Sequence, residues 1–376
     1  MNDFDVAVIG AGPAGCEAAL AAARSGARTL CLTINLDMAG FPPASPVLVD
    51  DVQDRRGGLL AELESLGGQL PVILTGGTGI GVAAADGLVT VAVAADGVAT
   101  GAVAGTDNVA GRIIVDRRRL GLAWKELLEF QDGVYLRQAL VTELEARAAG
   151  GWALTSRLGE EFTAATVVVA AGTFLNGRVI ETDGVSPGGR WAEIPSNSLP
   201  KYLQMLGLEL VEVTARTSPR VSFGGLGSPG SSDDRLRPDG SQLNELLAVG
   251  FETTGSRSCQ LEELRKNNGL ETAWMTRASY AVRHEVLAAG QVRADLEVAE
   301  EPGLGIFFAG RAAGCCNYSE AAVLGFLAGL GAASRALRTA PPSLTNEYSL
   351  VTTLLERIVN KKIRPVTVRI DDETGC

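Results

Sequence analysis

A short apolar run, FDVAVI at residues 4–9, breaks into the glycine sequence GAGPAG at residues 10–15. Helix-compatible sequence follows from about Pro13 to Ser25, is closed by Gly26, and gives way to a second apolar run at Arg28–Thr33. Strand, glycine turn, helix and strand in that order make one βαβ unit. Each glycine has a separate reason to be there. Gly10 allows the tight turn, Gly12 lets the backbone touch a pyrophosphate, and Gly15 lets helix and strand pack closely. Phosphates then rest on the helix N-terminus, where unpaired N–H groups and the helix dipole favour anions. The loop therefore reads as a dinucleotide site, with Pro13 and Ala14 completing it. The acidic residue that usually holds the ribose is missing after the second strand. Thr33 stands there, with Asn35 and Asp37 nearby, and Asn35 is the candidate substitute.

Two later segments match this opening. VVVAAGTFLNG, residues 167–177, is a buried-strand pattern ending at Ala171 and Gly172, where the chain can cross a cofactor with no side chain in the way. GIFFAGRAAGCCNYSEAA, residues 305–322, is a strand ending at Ala309–Gly310, followed by a helix starting near Ser319–Glu320. Flavoproteins with two dinucleotide-binding folds use three such elements in this order. The expected class is α/β, a Rossmann-type FAD-binding fold with an inserted smaller α+β domain. The expected division is a discontinuous FAD domain at 1–195 and 296–340, an inserted substrate or nicotinamide domain at 196–295, and a tail at 341–376 with a helix at 345–360. Residues 57–68 read as a glycine-framed helix and 69–110 as short strands and turns. Residues 116–130 read as an amphipathic helix capped by Asp116, and 224–241, rich in Gly, Ser, Asp and Pro, as a loop.

Composition excludes several classes. With 46% hydrophobic and 20% charged residues, the chain is ordinary for a soluble globular protein, and no uninterrupted apolar stretch is long enough to cross a bilayer. No membrane association is expected, and the location expected is cytoplasmic. A net charge of −11 gives little general attraction to phosphate backbones, so an RNA partner would need a local basic patch. The 6 cysteines show no metal spacing and read as free thiols, and with a single histidine, His284, no metal site is expected.

Most of the chain resembles the GidA/MnmG family of FAD-dependent tRNA uridine-modifying proteins. The likeness lies in residues 4–37, AAGTFLNGRV, SPGGR, TARTSPR at 214–220, GLETAWMTRASYAVRHEV at 269–286 and residues 305–333. AGRIIVDRRRLG, residues 110–121, is similar to the smaller folate-dependent sister family TrmFO. The resemblance implies FAD, a reduced nicotinamide (NAD(P)H) and a folate donor, tRNA as partner, and a homodimer. It implies that Gly10, Gly12, Ala14 and Gly15 hold the pyrophosphate, that Leu140 reaches the adenine by its backbone, and that Ala171, Gly172 and Gly310 line the channel. Arg311 stands where the family has glutamine beside the flavin. The family's helical C-terminal domain has no counterpart, so no MnmE-type partner is expected.

Departures from the pattern matter as much. The family's nucleophilic cysteine lies in a Cys-Asn-Pro stretch where this chain reads Ala44-Ser45-Pro46, and alanine cannot attack a uracil ring. Cys259 lies in a different context from the family's second cysteine. Cys315–Cys316 replaces a Thr-Thr pair at the start of the last helix. Such a position lowers a thiol pKa, so Cys315, Cys316 and Arg311 are the catalytic candidates, against a bland reading of small packing residues. Arg311 would stabilise negative charge on a reduced flavin. His284 reads as structural or solvated, Arg117, Arg118 and Arg119 as a surface helix start with RNA phosphate as the alternative, and Arg216 and Arg220 as near the flavin or substrate. Two further functional readings stand: a small-molecule flavin oxidoreductase, and a non-catalytic FAD-binding protein.

Overall fold

The computed structural model describes residues 2–42, 47–49, 58–75, 81–83, 89–93, 97–101, 112–182, 184–217, 219–222, 246–247, 255–266, 274–299, 304–340 and 349–360. Phe4–Ile9 forms the expected first strand and Pro13–Arg24 the helix after it. Thr29–Thr33 returns parallel to the first strand, with Val6 opposite Thr29 and Ile9 opposite Leu32. Val134–Gln138 adds parallel on the outer side, and Glu161–Val169 on the inner side. All 5 residues of Thr29–Thr33 are buried, as in a parallel sheet covered on both faces.

On the edge away from Phe4–Ile9, Glu161–Val169 carries two partners along its length. Its first half pairs antiparallel with Trp152–Ser156, which in turn pairs with Val141–Ala146. Its second half, Val167–Val169, pairs parallel with Ile306–Phe308. Ile306–Phe308, far along the chain, thus enters the same sheet beside Glu161–Val169, giving the α/β Rossmann-type order expected from the sequence.

Two helices cross on one face of the sheet. Pro13–Arg24 packs on Tyr318–Leu337 through Ala14 and Ala18 against Gly325 and Gly329. A Cβ built on Gly325 would lie 2.6 Å from the Ala14 carbonyl carbon, and one on Gly329 2.7 Å from the Ala18 Cα. Tyr318–Leu337 is apolar and long enough to cross a membrane by composition alone, yet it is mostly buried in this core.

A second, antiparallel sheet runs Gly184–Pro187, Arg178–Glu181, Ala281–Leu287, Leu210–Arg216. The hairpin at 178–187 lies before the expected boundary at 195/196, yet it pairs with Ala281–Leu287, with Val179 opposite Val282. The second sheet therefore draws strands from both sides of that boundary.

The expected helices at 57–68 and 116–130 appear as Leu59–Leu66 and Arg117–Phe130, the latter capped by Asp116 Oδ1 accepting from the amides of Arg118 and Arg119. The reading of 69–110 as strands and turns needs correction at its start, where Leu70–Thr75 is a helix. The buried Glu17 carboxylate accepts from the Gln69 amide at 2.8 Å and the Leu70 amide at 2.7 Å, supplying partners that the short segment cannot supply itself. The tail contains the helix Leu350–Val359, capped by Ser349 and by Glu62, which accepts from the Leu350 and Val351 amides. The expected loop at 224–241 and the stretch Ala44-Ser45-Pro46 lie outside the described residues.

Candidate functional site

The carboxyl ends of the parallel strands open into a cleft of about 520 Å³. That is the place where open α/β sheets bind ligands, and the size suits a small-molecule or cofactor site. The glycine loop forms one wall. Gly10 has φ +106°, a conformation that side chains rarely adopt, and its N–H donates to the Leu32 carbonyl at 2.7 Å. A Cβ on Gly15 would lie 2.7 Å from the Gly10 carbonyl carbon and closer still to its oxygen, so helix and loop touch backbone to backbone.

Gly12 is different. It is extended, at φ −72° and ψ −174°, and a Cβ there would meet nothing within 4 Å. It begins the Pro13–Arg24 helix, and no side chain caps that terminus or places a carboxylate in its first turn. The first-turn amides therefore face an open cleft without an internal acceptor, as an anion site requires.

The loop is tied to the start of the last helix through Gly40. The Gly40 amide donates to the Ala11 carbonyl at 2.7 Å, and its carbonyl accepts from the Tyr318 hydroxyl. The Trp124 indole donates to the same hydroxyl at 2.9 Å. Gly40 has φ +59° and packs on the Trp124 ring so closely that no side chain would fit.

At the strand-two end, Thr33 and Leu140 line the cleft. The Thr33 hydroxyl is engaged by Asn35, donating to its carbonyl at 3.2 Å. The Asn35 side chain accepts from the Asp37 amide at 3.0 Å, and Asp37 pairs with Lys125 at 2.8 Å. Asn35 is thus a local turn cap and not a cleft wall, because its carboxamide oxygen serves the short helix that follows. The Leu140 carbonyl accepts from the Arg157 amide at 2.8 Å.

The far end gathers Ala171, Gly172, Arg311, Cys315 and Cys316 around the same cleft. Gly310, at φ +63°, packs on Ala14, where a Cβ would fall 2.7 Å from the Ala14 Cβ. The Arg311 guanidinium donates to the Cys315 carbonyl at 3.0 Å. Asn317 caps the last helix by accepting from the Glu320 amide at 2.8 Å. The Glu320 carboxylate accepts from the Cys316 amide at 2.7 Å and pairs with Arg357 of the tail helix at 2.6 Å.

This arrangement overturns the expectation of a low-pKa thiolate at Cys315. Burial raises its pKa above the ordinary thiol range and outweighs the nearby Arg311 cation. The helix terminus is already served by Asn317 and by the buried Glu320, so little of its positive end is left for the thiol. Cys316, in contrast, is exposed. Cys16 and Cys31 are free but buried, whereas Cys259 is disulfide-bonded, a correction to the expectation of free thiols throughout.

His284 is buried beneath this end of the site, and not solvated. Its Nδ1 lies 3.2 Å from the Val282 carbonyl, and its Nε2 has no hydrogen-bond partner. Burial, then the Arg311 cation, lowers its pKa to about 4, so the ring is neutral at physiological pH. Of the arginines, Arg216 lines the cleft, and Arg117 stacks 4.9 Å over Phe41, itself a wall residue. Arg118 is exposed, and Arg119 lies 4.0 Å from Asp116. The Arg220 backbone lies in a strand, and its side chain is outside the described residues. Among the described residues, no group of 3 or more metal-ligating side chains gathers.

The sequence did not single out Phe174, Arg190, Thr217 or Tyr280, all of which line the cleft. Arg190 lies 5.4 Å over the Phe174 ring and pairs with Glu193 at 2.7 Å. Thr217 and Tyr280 bond to each other through the Thr217 amide and the Tyr280 amide, at 2.9 and 3.1 Å.

Comparison with known proteins follows the same lines. The family described as "Glucose inhibited division protein A" matches residues 5–226 and 234–340. The tRNA uridine 5-carboxymethylaminomethyl modification enzyme MnmG of Desulfitobacterium hafniense (strain Y51) is 27% identical, covering 96% of this chain and 67% of its own length. The MnmG of Bacillus cereus (strain ATCC 14579) is 26% identical, with 96% and 66% covered. The chain therefore spans about two thirds of the length of the curated relatives it matches. The structure of Aquifex aeolicus GidA superposes with a TM-score of 0.77 at 24% identity, over 96% of this chain and 68% of that one. Glycine oxidase from Geobacillus kaustophilus superposes with a TM-score of 0.50 at 16% identity, over 93% and 98%. Both structures are likenesses of fold.

Proposed function

Because this chain belongs to the glucose inhibited division protein A family, we propose that it binds FAD in the cleft and acts as an FAD-dependent oxidoreductase in or near tRNA uridine modification. The observation that carries the reading is the uncapped helix N-terminus at Gly12, open to a cleft whose other end holds Arg311. The residues fit the cofactor at both ends.

FAD, when bound, supplies two-electron redox chemistry. The rest of the work falls to the chain. The Ala14 and Gly15 amides and the helix dipole hold the diphosphate, and Pro13 has no N–H to leave unpaired. The Leu140 backbone, in the cleft wall, would hold the adenine. The cleft wall beside Thr33 has no acidic residue, and the Thr33 hydroxyl is engaged by Asn35, so the ribose would be held mainly by backbone. Arg311, in the cleft wall, would offer a fixed cation to the reduced cofactor, and the neutral His284 adds no competing charge. Phe174, Tyr280 and Val282 exclude water from that end.

tRNA as substrate belongs to this reading through the names of the relatives, and NAD(P)H as electron source and a homodimer belong to it only as implied by the resemblance in sequence. Folate has no support among the residues described. A second reading, an FAD oxidoreductase acting on a small molecule, is favoured by Ala44 at the position of the family's nucleophile and by the net charge of −11. Two measurements separate them. Bleaching of the bound flavin by NADH or NADPH is expected in both, and its absence with either donor would argue for a non-catalytic flavin protein. Nucleoside analysis of tRNA from a deletion strain is expected to show an altered wobble uridine, and an unchanged profile would favour the small-molecule reading.

A further inference from the structure

Cys315 and Cys316 are adjacent free thiols that both line the cleft, one buried and one exposed. Their loop is fixed on both sides of the pair. Arg311 holds the Cys315 carbonyl at 3.0 Å, and Glu320, anchored by Arg357, holds the Cys316 amide at 2.7 Å. Gly314, at φ +91°, turns the chain just ahead of them. Nothing in the proposed cofactor site uses either sulfur, and the helix that follows is capped without them.

We propose that Cys315 and Cys316 form a vicinal dithiol centre that exchanges with low-molecular-weight disulfides entering the cleft, with Cys316 as the attacking thiol and Cys315 as the resolving one. The exposed Cys316 loses its proton to water and its sulfur attacks one sulfur of the small disulfide. The S–S bond breaks, one thiolate leaves and takes a proton, and a mixed disulfide remains on Cys316. Cys315 then gives up its proton, attacks the Cys316 sulfur and expels the second thiolate, which is protonated in turn. Two cysteine thiols are oxidised to one disulfide, and one small disulfide is reduced to two thiols.

The order of attack follows from exposure, since only Cys316 is reachable from solvent. The product also suits turnover more than structure. Adjacent Cα atoms are about 3.8 Å apart, whereas ordinary disulfides span about 4.4–6.8 Å. A bond between neighbours is therefore strained and easily reduced, as catalytic and regulatory disulfides are.

The test uses the full chain and dithiobis(nitrobenzoate) as the disulfide. Trypsin releases the pair within the peptide running from Ala312 to Arg335. From the wild-type protein this peptide is expected two hydrogens lighter and free of aromatic adduct. Cys315→Ser is expected to retain the adduct on Cys316, and Cys316→Ser to yield the peptide unmodified. Wild-type peptide that keeps an adduct on Cys316, or that stays a dithiol, would overturn the proposal. The assay needs no flavin, so failure of the cofactor reading and failure of this one give different results.

Discussion

Gly325 of the helix Tyr318–Leu337 lies directly on Ala14 of the first helix, so that a Cβ on Gly325 would fall 2.6 Å from the Ala14 carbonyl carbon. Ala14 also touches Gly310, which means that one residue of the glycine loop is packed by both the last strand's turn and the last helix. The cleft walls are held together at this point.

Gly325→Leu forces these helices apart. Overpacking a filled core costs about 1–3 kcal/mol, and backbone contact on the far side leaves little room to relax. A fall in the denaturation midpoint is expected, together with loss of bound flavin. An unchanged midpoint would show that the crossing is looser than described.

Gly12 and Gly15 should separate binding from folding. A side chain at Gly12 meets no protein atom within 4 Å, so Gly12→Val is expected to change the stability of the flavin-free chain by less than about 1 kcal/mol while abolishing flavin binding. Gly15→Val drives a side chain into the Gly10 carbonyl and is expected to destabilise the fold itself. Thermal melts of both variants, read beside flavin content, check the contrast.

The contrast also shows what was legible in the sequence. Gly15 packs on Gly10, five residues earlier, so spacing made that turn legible, whereas the contact of Gly10 with Ala170 is long-range. Phe174, Thr217 and Tyr280 reach the cleft because strand 281–287 pairs with 178–181 and 210–216, a long-range pairing with no local signature. Asn35 looked like a ribose ligand because its turn-capping role depends on a backbone amide two residues on. Cys315 looked reactive because a helix start was visible, whereas its burial and the carboxylate of Glu320 were not.

Glu17 sets a pH dependence. Burial raises its pKa to about 7 despite the hydrogen bonds from Gln69 and Leu70 that favour the charged form. The folded state therefore holds this proton over a range, between the ordinary carboxylate value and about 7, where the unfolded state has lost it. Its stabilising effect is complete below the ordinary value and is lost as pH rises through 7. The contribution is about 3 kcal/mol. Denaturant titrations from pH 5 to 8 should show stability falling with pH in the wild type and a flatter profile in Glu17→Gln. Equal slopes would remove Glu17 as the cause.

The tail helix braces the far end of the site. Arg357→Met leaves the Glu320 carboxylate, 5% exposed, with the Cys316 amide as its remaining partner. Losing one partner of a buried pair costs about 3–5 kcal/mol. Arg357 is partly exposed, so about 1–2 kcal/mol is expected after solvent screening. Urea denaturation measures it, and Glu320→Gln combined with Arg357→Met should recover part of the loss.

The visible absorption spectrum of the purified chain, before and after incubation with FAD, tests the central claim most directly. One equivalent of tightly bound flavin per chain is expected, absent from Gly12→Val, whose thermal midpoint is expected to match that of the flavin-free wild type. Colourless protein that takes up no FAD would contradict the assignment of the cleft and the oxidoreductase function built on it.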